Sequence, residues 1–203
     1  MQKPIPVLYE DDSLVVFDKP AGLLVIPSPK MEKNTLVAFA NEQYKAAADE
    51  WRLHPCHRLD RDTSGAIIFA KGKRHQQSMM ELFHKRLVSK RYVAFVNGRL
   101  TNPMGEIKSE IKDFSQQRFA RDSRGKMAVT RYKAVAVKKH FTVAEVYPLT
   151  GRTNQIRIHF SEIGHPLLGE RKYAFGRDFI LKFRRTALHA SELGWIHPVT
   201  KKH

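Results

Sequence analysis

Short apolar runs separated by polar turns dominate this chain. Residues 14–17, 23–26, 66–70, 92–96, 129–137, 141–146 and 155–160 each read as a strand, rich in Val, Ile, Phe and Tyr. Two segments repeat at helical spacing instead. Residues 35–48 follow Asn34, a good N-cap, and carry Leu36, Phe39, Ala40, Gln43 and Ala47 on one stripe. Residues 73–87 place Met79, Leu82, Phe83 and Leu87 on one face and basic side chains on the other. Many strands at hairpin spacing with few helices predict an α+β fold around a mixed, mainly antiparallel sheet flanked by helices and loops.

Composition narrows the class. With 203 residues, 42% of them hydrophobic, the chain can bury one real core, and its 10% aromatic content argues against disorder. A single cysteine, Cys56, excludes a disulfide framework and a four-thiolate zinc site. No apolar run has the length of a membrane span and the start lacks a signal-peptide core, so a soluble, cytoplasmic chain is expected.

Charge adds the partner class. The net charge of +16 is unevenly spread: residues 1–50 carry a balance of −3 and residues 51–203 a balance of +19. The excess concentrates in residues 71–91, 118–139 and 171–185, interleaved with apolar side chains. A folded basic surface suits a polyanion, nucleic acid first, and the acidic first fifty residues would lie away from it. The basic face of the second helix reads equally well as a solvated face.

Three segments hold polar groups beside strong strand signals. In HPCHRLDRDTSG (residues 54–65), Arg58, Asp60, Arg61, Asp62 and Thr63 crowd a turn leading into AIIFA; Asp and Thr capping alone could explain it. In TGRTNQIRIHF (150–160), strand alternation sets Gln155, Arg157 and His159 opposite Ile156, Ile158 and Phe160. An arginine among such neighbours calls for an anionic partner, and Asp60 would serve, although an exposed sheet face would look similar. In SKRYVAFVNG (89–98), Tyr92, Ala94 and Val96 share a face, which fits a packing tyrosine or a working one. His54, Cys56 and His57 lack a second ligand pair at zinc spacing. Asp60 and Asp62 as Mg²⁺ ligands would need an extended segment, and Arg58 and Arg61 already supply counter-charge. Cys56 and His57, adjacent on a strand, face opposite ways and make a poor nucleophile pair. No GxxxxGK[ST] or GxGxxG loop is present.

Taken together, DKPAGLLV (18–25), HRLDRDTSG (57–65), KRYVAFVNG (90–98), PLTGRTNQIRIH (148–159), GHPLLGERKY (164–173) and LHASELGWIHP (188–198) resemble the RluA-type RNA pseudouridine synthases, in the family's order and over most of the chain. The resemblance implies an isomerase that turns uridine into pseudouridine without ATP, redox cofactor or metal. It implies Asp60 as the essential catalytic aspartate, Arg157 as its partner and Tyr92 as the tyrosine packed on the uracil. Arg58 would help displace the target base, with Thr63, Arg152 and Gln155 also meeting substrate. The implied partner is a ribosomal or transfer RNA stem-loop, bound by a monomer and without a membrane. Three positions depart from the family pattern: Asn154 stands where His is usual, Asp18 where Asn is common, and Glu170 where Asp is common. A single catalytic domain over residues 1–203 is expected, with no room for a separate N-terminal S4 domain. It ends at Lys201-Lys202-His203, where relatives usually continue into one more strand and a short tail.

Overall fold

A computed structural model describes residues 3–47, 50–112, 125–174 and 181–202. Parts of two basic stretches, residues 118–124 and 175–180, and the predicted helix end at Ala48 lie outside them. The fold is α+β with a largely antiparallel sheet, and the chain divides into two compact units. One comprises residues 1–89 and 189–203, the other residues 90–188.

The first unit is built around β4 (Ser64–Lys71), which pairs antiparallel with β2 (Leu14–Lys19) on one edge. β1 (Val7–Glu10) extends the sheet beyond β2. On the other edge of β4 lie the short β3 (Leu53–Pro55), antiparallel, and β9 (Leu188–Gly194), parallel. Near-continuous apolar runs in β2 and β4 are explained by burial on both faces. Leu14, Val16, Ala66, Ile68 and Ala70 form one cluster with Met79 and with half-buried Leu82 and Phe83 from α2 (Lys73–His84). On the other face Phe17 meets Phe69 edge to face at 5.4 Å, and Tyr44, just after α1 (Leu36–Gln43), at 6.2 Å.

Both helices are shorter than their periodicity predicts. The Thr35 hydroxyl, not Asn34, caps α1 by accepting from the Ala38 N–H. The helix ends at Tyr44, whose ring sits against Phe17 and Trp51, so tertiary packing overrides the alanine-rich continuation. After α2, Arg86 takes a left-handed conformation (φ 60°). The N–H groups of Arg86 and Leu87 then bond back to Phe83 and Leu82, a Schellman closure that carries Leu87 off the apolar face. The strand expected at residues 23–26 is absent. Its carbonyls at Leu24 and Val25 instead accept from Leu36 and Val37 in the first turn of α1, groups with no partner inside the helix.

The second unit is an antiparallel sheet in the order β5 (Ser89–Asn97), β8 (Phe141–Pro148), β7 (Lys126–Val137) and β6 (Met104–Ile111), with β5 beside β8 in place of its chain neighbour β6. Tyr92, Ala94 and Val96 share the buried face, as the alternation of β5 requires. The segment at residues 155–160 is a helix, α3 (Gln155–Glu162), not the predicted strand. Its apolar and polar alternation fits either state; the positions that bury together are Gln155, Ile156, His159 and Phe160, a helical stripe. Asn154, left-handed at φ 56°, breaks the extended path and starts the helix, a conformation that asparagine tolerates well.

Gly65 is the tightest point of the first unit. It lies at φ 109°, and a Cβ there would run into the backbone of Ala190 on β9. Gly65→Ala is expected to cost about 3 kcal/mol of stability in a urea titration, since it combines backbone strain with overpacking. An unchanged unfolding midpoint would contradict this reading of the β4–β9 contact.

Candidate active site

The HRLD segment connects β3 to β4, and three contacts fix its path. The Cys56 N–H donates to the Ile68 carbonyl and the Ile68 N–H to Nε2 of His57, at 2.9 and 3.1 Å. The His57 ring also lies 4.7 Å from the ring of Phe83 on α2. Cys56 is buried, and burial pushes its thiol up to about 12, which suits packing rather than nucleophilic work. Leu59 is buried as well. Asp60 follows as the first residue of a turn closed by the Thr63 N–H donating to the Asp60 carbonyl at 3.2 Å. Arg58 is exposed, Asp60 half-buried and Thr63 buried.

A residue that sequence reasoning left without a role secures this turn. Lys19 has no exposed surface, yet it ends the apolar strand β2. Its ammonium donates to the carbonyls of Pro20 (2.9 Å), Leu23 (2.7 Å) and Arg61 (2.9 Å). The Gly22 N–H also reaches the Arg61 carbonyl at 2.9 Å. The peptide next to Asp60 is thereby tied to the loop after β2. A lysine inside an apolar strand run was the available signal, because a buried ammonium requires acceptors.

In the second unit, Tyr92 presents its ring on the buried face of β5. Arg152 and Gln155 lie at the entry to α3. The Gln155 amide is buried and saturated within the unit. Its oxygen accepts from the Thr150 hydroxyl (2.7 Å) and the Arg152 N–H (3.0 Å), while its nitrogen donates to the Val129 carbonyl (3.0 Å) and to Thr130 Oγ1 (2.9 Å). His159, one turn on, is fully buried, and its Nδ1 lies 2.8 Å from the same Thr130 hydroxyl. Arg157 stands on the opposite side of α3. Its Nε and Nη2 donate to the two carboxylate oxygens of Glu170 at 2.7 and 2.9 Å, and its Nη1 to Asn154 Oδ1 at 2.7 Å. The guanidinium also lies 5.3 Å from the centre of the Tyr173 ring. Burial alone would raise the Glu170 carboxyl, but Arg157 and the N–H groups of Lys172 and Tyr173 outweigh it and hold the carboxyl below its ordinary range. In the sequence, Tyr173 stands only within a motif block and Glu170 only as a departure from the family pattern. Their contact with Arg157 spans more than a dozen residues and left no local signal.

The fold that carries these residues has a known counterpart. The structure superposes on human RNA pseudouridylate synthase domain containing 4 with a TM-score of 0.76 at 25% identity, over 93% of this chain and 83% of that one. Residues 13–162 match the RNA pseudouridylate synthase family, and the chain belongs to that family. It is 34% identical over 200 residues to the uncharacterized RNA pseudouridine synthase YhcT of Bacillus subtilis, covering 97% of this chain and 65% of that protein. It is 33% identical over 201 residues to the dual-specificity RNA pseudouridine synthase RluA of Haemophilus influenzae, covering 97% and 89%. With the ribosomal large subunit pseudouridine synthase D of Zymomonas mobilis it shares 34% over 213 residues, 98% and 67% of the two chains. The chain thus spans about two thirds of the length of the Bacillus and Zymomonas proteins.

The buried imidazole gives a pH signature. Burial pushes His159 down to about 4, whereas the unfolded chain takes up that proton at about 6.5. The unfolded state therefore binds more protons between these values. The stability is complete above about pH 6.5 and declines as pH falls toward about 4, by up to about 3 kcal/mol. An NMR titration of the His159 ring checks this; a midpoint near 6.5 in the folded protein would contradict it.

Proposed function

We propose that this chain isomerises specific uridines in structured RNA to pseudouridine, with Asp60 as the essential carboxylate. The family match over residues 13–162 carries the reading, because it runs through Asp60, Tyr92 and Arg157 together. The two units act as one catalytic domain. Arg157 serves as the cationic partner that keeps Asp60 ionised, Tyr92 packs on the uracil, and Arg58 fills the place the target base vacates. Arg152 and Thr63 meet substrate, while the saturated Gln155 amide serves it through the Arg152 loop.

The chemistry asks for little else. The N1–C1′ glycosidic bond breaks, the uracil turns within the site, and C5 bonds to C1′ as C5 loses its proton and N1 gains one. An anionic group beside the ribose and uracil is needed, and a neighbouring guanidinium favours its charged form. Flipping the base from its stack costs a few kcal/mol, least where the RNA is already looped. A stem-loop of ribosomal or transfer RNA therefore suits a monomeric enzyme of the cytoplasm. Relatives named for the ribosomal large subunit and for dual specificity support that substrate class. The net charge of +16 holds phosphates around the loop, while shape, stacking and base edges select the site.

Asp60→Asn is expected to lower single-turnover pseudouridine formation by at least about 1000-fold, a loss of about 4 kcal/mol in the barrier, with RNA affinity retained. Normal turnover by this variant would overturn the assignment of Asp60. Strand shortening that stops in chelator would point instead to a metal-dependent nuclease. Affinity is also expected to fall steeply with salt, with a log–log slope of about −0.7 per phosphate contact on single strands. A flat response in filter binding would contradict the phosphate-holding role of the basic surface.

A further inference from the structure

Three groups grip the Arg157 guanidinium from different directions. Glu170, whose side chain has no exposed surface, takes its Nε and Nη2 edge in a two-point ion pair. Asn154 takes Nη1, and the same amide donates through Nδ2 to the Tyr173 hydroxyl at 3.1 Å. Tyr173 in turn covers the guanidinium face. Glu170 Oε1 also accepts from the N–H groups of Lys172 and Tyr173, so one carboxylate orients both the arginine edge and the ring beside it. Asn154 and Glu170 are two of the three positions that depart from the family pattern, and both act on this one side chain.

α3 has a separate set of anchors away from these contacts. The helix is anchored on its other side, where Gln155, Ile156, His159 and Phe160 are buried and Thr130 bonds both Gln155 and His159. The clamp therefore restrains the position of a guanidinium, with little bearing on the position of a helix. A flexible arginine ordinarily gives up considerable rotamer freedom to hold one geometry. Here the protein's own side chains supply that ordering.

We propose that Glu170 and Asn154 are a coupled pair of positioning residues that hold Arg157 in its working orientation, with Tyr173 as the plate between them. This inference rests on the proposed function, in which Arg157 supports Asp60. Two variants isolate the clamp. Glu170→Gln keeps an oxygen for the turn but sets an NH₂ against the guanidinium. Asn154→Gly removes the amide and keeps the left-handed backbone accessible.

A double-mutant cycle on the single-turnover rate provides the test, using ribosomal and transfer RNA extracted from a strain lacking this gene. A misplacement of about 1 Å in a working group costs about 100-fold, so Glu170→Gln is expected to slow turnover by about 100-fold and Asn154→Gly by about 10-fold. Because they share one guanidinium, the double variant should be no more than about threefold slower than Glu170→Gln alone. RNA affinity should stay near wild type in every variant. Glu170→Gln is expected to lower the thermal midpoint, because it breaks a buried ion pair, and Glu170→Asp, which keeps the charge, should recover about 10-fold in rate over Glu170→Gln. Multiplying effects, or unchanged rates in the variants, overturn the inference. So does a loss of affinity that tracks the loss of rate. Wild-type protein that makes no pseudouridine on these RNAs overturns the proposed function itself.

Discussion

A buried ammonium sets the terms for the first unit. Removing the Lys19 charge from water costs several kcal/mol unless donors meet acceptors, and the fold answers by turning the Pro20, Leu23 and Arg61 carbonyls toward it. Those carbonyls belong to the loop after β2 and to the turn before β4, so satisfying one side chain fixes two separate pieces of backbone. Gly65, pressed against Ala190, fixes the far end of the same turn. Asp60 directly precedes the first of these constraints, in the turn closed by the Thr63 N–H. Under the proposed function, a half-buried carboxylate beside a flipped base benefits from such restraint, because positioning supplies much of the rate when little else is offered.

The second unit uses the same logic with neutral and charged groups together. Thr130 on β7 bonds both Gln155 and His159, and Gln155 closes the entry loop by taking the Arg152 N–H. In a low-dielectric interior such a network is strong when complete and costly when broken, so the short helix α3 is set firmly on its sheet. Its outward side is then free to carry Arg157 into the Glu170, Asn154 and Tyr173 clamp. One helix thus divides its labour by side: anchoring on one, a clamped arginine on the other.

Much of this was legible in the sequence, and the failures have particular causes. Strands β2, β4, β5, β7 and β8 are continuous or alternating apolar runs, and each falls where the pattern places it within a few residues. β3 and β9 are short or polar-rich and left no such pattern; the same holds for β6, whose glutamates and lysine hide Ile107 and Ile111. The segment from Gln155 to Phe160 alternates well enough for a strand, but its fate is decided by the left-handed Asn154 and by the Thr130 contacts, which are not local. The HRLD and QIR blocks identified the family. They could not show Lys19 beneath the turn or Glu170 against the arginine, since both depend on contacts between distant residues.

The charge asymmetry takes on a finer division in this light. Lys19 is structural and Arg157 is committed to a clamp, so under the proposed function the exposed Arg58 and the basic residues beyond it are the ones left to meet RNA. The central claim is that the chain rearranges a nucleoside and neither cuts nor merely binds its RNA. Nucleoside mass spectrometry tests this most directly, on RNA from a strain lacking the gene, incubated with the purified wild-type chain and then digested completely. The expected result is a loss of uridine matched by a new nucleoside of identical mass that elutes as pseudouridine, from RNA of unchanged length. Unaltered nucleosides, or shortened RNA, would contradict it.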